Sequence, residues 1–172
     1  MKLQKLFAAA VLTLSCITTA FAAGESPFYV GAALGSSSVG PSDSTSVGAF
    51  IGYKLQGVTL GGAGSLAVEA QYTSLGSISY SDNFDSFGVD AVASFPIHSL
   101  PNFSVFGKLG VNNISGNFRC GPYCSYSNSS GLVLDFGFGG QYKFTRDFSV
   151  RAGYQYFDSN FSTIYAAAVF QF

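Results

Sequence analysis

Three carboxylates and two cations recur in one phase of alternating segments: Glu69, Asp90 and Asp135 against Lys108 and Arg151. Acids and bases gathered on one side of a sheet form ion pairs. Inside a narrow enclosure each must be paired, because removing one partner of a buried pair costs about 3–5 kcal/mol. Such a cluster has two uses: a plug that fixes strand register, or a gate whose pairs rearrange to pass small ions. Catalytic chemistry has little to draw on. The single imidazole, His98, lies in the turn Pro96-Ile97-His98-Ser99, and a Ser adjacent in sequence does not make a nucleophile and base pair. Hydrolysis needs a placed nucleophile with its base, a metal, or acids with separated pKa values. The chain is therefore expected to be non-enzymatic, with no catalytic, cofactor-binding or metal-ligating residues and no cofactor.

The elements that must position these groups have a period of two. Eight segments alternate in this way: 28–35, 46–55, 66–75, 86–95, 103–112, 132–143, 148–156 and 163–172. Each is about ten residues, the length a tilted strand needs to cross a bilayer. One phase carries Val47, Ile51, Val68, Phe87, Leu109, Leu134 and their like, with no charged or amide residue. The other carries Lys54, Glu69, Asp90, Lys108, Asp135, Lys143 and Arg151. A Lys or Arg facing lipid at mid-membrane costs roughly 2–4 kcal/mol, so a membrane barrel must sort its charges and a soluble one need not. The fold class expected is all-β: an eight-stranded antiparallel up-and-down transmembrane β-barrel, apolar side out.

The connections fall into two kinds. Residues 56–65, 96–102 and 145–147 join segments on one side; the Ser-, Asn- and Asp-rich stretches 36–45, 76–85, 113–130 and 158–162 join them on the other. The first side is expected to face the periplasm with both termini, and the second the exterior. Phe95, Phe103, Tyr142, Phe144, Phe148, Phe170 and Phe172 fall near strand ends on the first side, as an aromatic girdle does. Phe170 and Phe172 end the chain on an apolar phase and are expected to form the C-terminal signal read by the barrel-assembly machinery.

Residues 1–23 have the pattern of a secretory signal: Lys2 and Lys5, then the mostly apolar stretch 6–20, then Ala20-Phe21-Ala22 as a small-x-small cleavage site. The barrel domain is expected to cover 24–172. Without the signal, six basic residues stand against nine acidic, a net charge of −3. No basic cluster is present, which argues against nucleic acid as a partner. Cys16 leaves with the signal; Cys120 and Cys124, separated by Gly121-Pro122-Tyr123, are expected to form one disulfide in an exported chain. The staple lies in the longest polar connection, beside Arg119, Tyr123 and Tyr126. There it serves either recognition of a host or cell-surface ligand or protection from proteolysis.

The strings Gly48-Ala49-Phe50-Ile51-Gly52-Tyr53, Val68-Glu69-Ala70-Gln71-Tyr72, Lys108-Leu109-Gly110 and Arg151-Ala152-Gly153-Tyr154-Gln155-Tyr156 fall on successive strands. In that order the chain resembles the OmpA-type eight-stranded barrels and the small opacity-like surface proteins. The resemblance implies a bacterial outer membrane location, contact with its lipid and lipopolysaccharide, and a structural or surface-antigen role, with a narrow porin-like channel as the alternative. It also implies that Glu69 pairs with Arg151, and that Lys108 is the lumenal base of the fifth strand. Gln141 stands where the family has a second lumenal Glu, and the switching Lys of the fourth strand has no counterpart. The gating mechanism of the family is therefore not carried over.

Overall fold

A strand with one apolar and one polar side needs two different surroundings, and closing the sheet on itself supplies both while removing every exposed edge. The computed structural model describes residues 26–39, 42–61, 63–77, 83–118, 127–158 and 161–172. They form β1 (Phe28–Val39), β2 (Ser42–Leu60), β3 (Gly64–Ser77), β4 (Asn83–Ile97), β5 (Leu100–Phe118), β6 (Ser127–Lys143), β7 (Phe148–Asp158) and β8 (Phe161–Gln171). Each strand pairs antiparallel with its sequence neighbour, and β1 pairs with β8 to close the barrel. The expected signal sequence, 1–23, lies outside the described residues.

The closing seam runs in unbroken register from Tyr29 against Gln171 to Val39 against Phe161. At its lower end Ser26 N donates to Phe172 O at 2.8 Å and Phe172 N to Phe28 O at 3.3 Å. The last residue is thus part of the wall. Both ends of the described chain lie at this end of the cylinder, called here the terminal end; the opposite end is the loop end.

The strands are longer than the hydrophobic alternation predicts. Residues 56–65 and 96–102, expected as connections, are mostly strand: β2 continues to Leu60 and β4 to Ile97, leaving His98 and Ser99 as the turn before β5. β2 slips register between Lys54 and Thr59, where Gly57 has φ 79°, and Gly61 has φ 58° in the turn that follows. That left-handed backbone is where glycine is tolerated best. At the loop end β1 reaches Val39 and β5 reaches Phe118, so residues expected as loop also belong to the wall. The reason is physical: apolar alternation marks only the stretch that must meet lipid, whereas ladder hydrogen bonds continue into water wherever a partner strand runs alongside. Ser38 Oγ donates to Asp43 Oδ1 at 2.6 Å in one such polar extension.

Side chains are sorted as in no water-soluble barrel. Leu132, Leu134, Leu34 and Leu109 are 75%, 73%, 65% and 63% exposed, whereas Asp90, Asn112 and Asp135 are 0% exposed. The interior is layered. Toward the terminal end Tyr29, Ala67, Val92, Phe106, Tyr165, Ala167 and Val169 form one apolar cluster. Toward the loop end Leu75, Phe84, Ile114 and Phe157 form another, with Val133 and Phe161 against them. The ionic groups lie between.

Inward glycines make this packing possible. Gly52 stands opposite Tyr29 and Gly31 opposite Phe50, and Gly139 stands opposite Phe106. At Gly52 and Gly31 the ring lies where a Cβ would be, and at Gly139 a Cβ would come within 2.8 Å of the Phe106 ring as well as striking the neighbouring strand's backbone. A narrow barrel has room for one large side chain per pair, so its partner must be small.

Candidate functional site

Strand alternation brings the five lumenal ionic residues named from the sequence into one layer. Glu69 on β3, Asp90 on β4, Gly110 on β5 and Asp135 on β6 occupy a single lateral row of register partners. Lys108 on β5 and Arg151 on β7 reach into it. Arg151 Nη1 lies 2.6 Å from Glu69 Oε1 and Lys108 Nζ lies 3.1 Å from Asp90 Oδ2, all four side chains at most 4% exposed.

Glu69, Arg151 and Lys108 are each held by further groups, as burial without water demands. Tyr29 Oη donates to Glu69 Oε1 at 2.7 Å, and Arg151 Nε donates to Gln141 Oε1 at 3.3 Å. The guanidinium carbon is 4.8 Å from the Phe106 ring centre, 5.1 Å from that of Phe50 and 5.9 Å from that of Tyr29. Aromatic faces that stabilise a cation so close replace part of its lost hydration. Lys108 also donates to Gln71 Oε1 at 3.0 Å and lies 5.6 Å from the Tyr165 ring centre.

Asp135 is held differently. Its oxygens accept from two amides, Asn112 Nδ2 at 2.6 Å and Gln155 Nε2 at 2.7 Å. The Asn112 carbonyl in turn accepts from Ser86 Oγ at 2.9 Å and from Gln71 Nε2 at 3.3 Å. Among the described residues one buried side-chain polar atom has no hydrogen-bond partner, Asp90 Oδ1.

Two cavities flank the layer. A void of about 20 Å³, room for roughly one water, is lined by Glu69, Gln71, Lys108, Arg151 and Gln155 among others. At the terminal end a cup of about 250 Å³ opens between Tyr29, Lys54, Gln141, Lys143, Arg151 and Gln171. Arg151 lines both and stands between them. Lys54 Nζ donates to Gln171 Oε1 at 2.5 Å in that cup, and Lys143 is exposed at its rim.

His98 is exposed in the β4–β5 turn, away from the ionic layer. Among the described residues no three His, Cys, Asp or Glu side chains are grouped for a metal. Cys120, Cys124, Arg119, Tyr123 and Tyr126 lie outside the described residues. Phe170 and Phe172 stack edge to face at 5.3 Å at the terminal end. The sequence reading did not single out Tyr29, Tyr165, Gln71, Asn112 or Gln155 as members of the network, nor the apolar cluster at the loop end. All share the inward phase of their strands: the five network residues lie within the alternating segments and carry no charge to mark them, whereas Phe84, Ile114 and Phe157 lie just beyond those segments, where extending the period-two reading would have found them.

The family model described as outer membrane protein beta-barrel domain matches residues 7–172. A search of the curated proteins found no match. Among solved structures the chain is similar to Ail, the attachment invasion locus protein of Yersinia pestis, with 18% identity and a TM-score of 0.62 over 86% of this chain and 97% of that one. Neisserial surface protein A is 17% identical with a TM-score of 0.54, over 87% of this chain and 100% of that one. The outer membrane enzyme PagL is 14% identical with a TM-score of 0.54, over 84% and 99%. At these identities the likeness is one of fold, and the same fold serves an enzyme and surface proteins alike.

Proposed function

Because the chain belongs to the outer-membrane β-barrel family, we propose that it is a non-enzymatic surface protein of the bacterial outer membrane, with a closed lumen and a structural or binding role at its loop end. The carrying observation is the filled cross-section: two buried ion pairs separate a cup from a void of about 20 Å³, and the apolar cluster of Leu75, Phe84, Ile114 and Phe157 lies above them. The terminal end faces the periplasm in this reading, which is supported by its short turns and its rings: Phe28 against Tyr53, Tyr142 against Phe144, and Phe170 against Phe172. Phe170 and Phe172 are there the signal for the assembly machinery, and the wall contacts outer-membrane lipid and lipopolysaccharide. The segment between Phe118 and Ser127 carries the surface ligand, closed by a Cys120–Cys124 disulfide. Whole-cell adhesion to host matrix, compared between the wild type and the Cys120→Ser/Cys124→Ser pair, tests this role; equal adhesion of both, or none, removes the stapled loop as a binding element. An epitope inserted at Ser99 should be reached by antibody only after the outer membrane is permeabilised.

One observation favours a narrow passive channel as the second reading: among the described residues Arg151 is the one that lines both cavities. Planar-bilayer recordings decide. The closed reading expects no large regular channels from the wild type, and regular conductance that changes in Arg151→Ala would replace it with the channel.

A further inference from the structure

We infer that Asp90 and Asp135 hold one hydrogen between them across the backbone of Gly110, making this pair a proton site within the closed lumen. The inference rests on the closed-lumen reading. Asp90, Gly110 and Asp135 are consecutive register partners on β4, β5 and β6. A side chain on Gly110 would collide with Asp90 Oδ1 and come within 2.9 Å of Asp135 Oδ1, so both oxygens converge on the gap that the glycine leaves. Both residues are 0% exposed.

Three of the four carboxyl oxygens have donors. Asp90 Oδ2 has Lys108, Asp135 Oδ1 has Asn112, and Asp135 Oδ2 has Gln155. The fourth, Asp90 Oδ1, has none. The charges leave the same remainder. Facing the pair are Glu69 on β3, Lys108 on β5, Arg151 on β7, and the hydroxyls of Tyr29 on β1 and Tyr165 on β8. Arg151 pairs with Glu69 and Lys108 with Asp90, and among the described residues Asp135 has only amide partners. One negative charge is therefore in surplus where water is nearly absent, and a buried charge without a counter-ion is neutralised at far lower cost than it is kept. A hydrogen carried by Asp135 Oδ1 and directed at Asp90 Oδ1 removes the surplus, gives the orphaned oxygen its bond and leaves Asp90 ionised beside Lys108. Gly110 leaves the two carboxyls room to approach.

The test uses the whole barrel, ¹³C-labelled at aspartate, in phospholipid nanodiscs at neutral pH. The wild type is expected to show one protonated carboxyl, absent from Asp90→Asn and from Asp135→Asn. Asp135→Asn keeps a neutral layer, the Lys108–Asp90 pair and a donor for Asp90 Oδ1, so it should hold the wild-type urea midpoint; Asp90→Asn takes the carboxylate from beside Lys108 and should lower it, and the double variant, which leaves Lys108 no carboxylate in the pair, should lower it further. Two ionised carboxylates in the wild type would overturn the inference, whatever the variants do. So would carboxyl signals that move with sodium at constant ionic strength, which would put a cation where the hydrogen is placed. The carboxyl signal is read independently of conductance, so failure here is distinguishable from failure of the closed-lumen reading.

Discussion

Arg151 is the residue on which the lumen turns, since its guanidinium meets Glu69, Gln141 and three aromatic faces. Arg151→Ala leaves Glu69 buried without its cation and should destabilise the barrel by about 3–5 kcal/mol, read from urea unfolding in lipid vesicles. Replacing both partners, Glu69→Gln with Arg151→Met, should recover most of that loss, because the penalty lies in the stranded charge. Tyr29→Phe removes the hydroxyl that donates to Glu69 at 2.7 Å. The loss should be about 1.5–3 kcal/mol in the same assay, the range for a hydrogen bond to a charged group. These roles were unequally legible. Glu69 and Arg151 stood out by charge on an apolar background, whereas Tyr29 looks like any strand tyrosine until the barrel turns its hydroxyl onto a carboxylate.

At the level of the strand, alternation assigns each residue to lipid or lumen, and neighbouring positions should respond in opposite ways. Leu109, 63% exposed, points outward between the inward Lys108 and Gly110. Leu109→Lys should cost roughly 2–4 kcal/mol in a bilayer, although a native lysine occupies the very next position. Pairing of large with small residues sets the second constraint. A methyl on Gly139 would meet the carbonyl of Ala152 and the Gly153 Cα at 2.7 Å as well as Phe106. Because backbone must shift, Gly139→Ala should lose about 1–3 kcal/mol, with a lower urea midpoint as the measurement. The strand count and facing were legible from period two alone. Strand length was not, since polar extensions such as that of Ser38 and Asp43 carry no hydrophobic signal and are set by the partner strand.

As a whole the molecule is a cylinder closed by the pairing of β1 with β8, with no sheet edge to begin unfolding. Full cooperativity follows, and with it an expected gel signature: the unheated barrel should migrate differently from the boiled one, in one step without intermediates. A graded shift with temperature would contradict a single closed unit. Arg151→Ala should lower the temperature of the step while leaving the folded band in place, because it weakens the interior without opening the seam.

The sequence by itself determined the facing of every strand, because moving a charge into lipid is costly enough that the pattern of apolar and polar residues has one physical solution. Only the tertiary structure decided which lumenal ion meets which. Partners such as Glu69 and Arg151 lie on strands far apart in the chain, and their meeting depends on barrel closure and stagger. It alone decided, too, that Asp135 would be left to two amides and that Asp90 would keep an oxygen without a donor. These outcomes arise from how side chains of unequal reach fill a narrow cylinder, a problem in three dimensions that no one-dimensional period encodes.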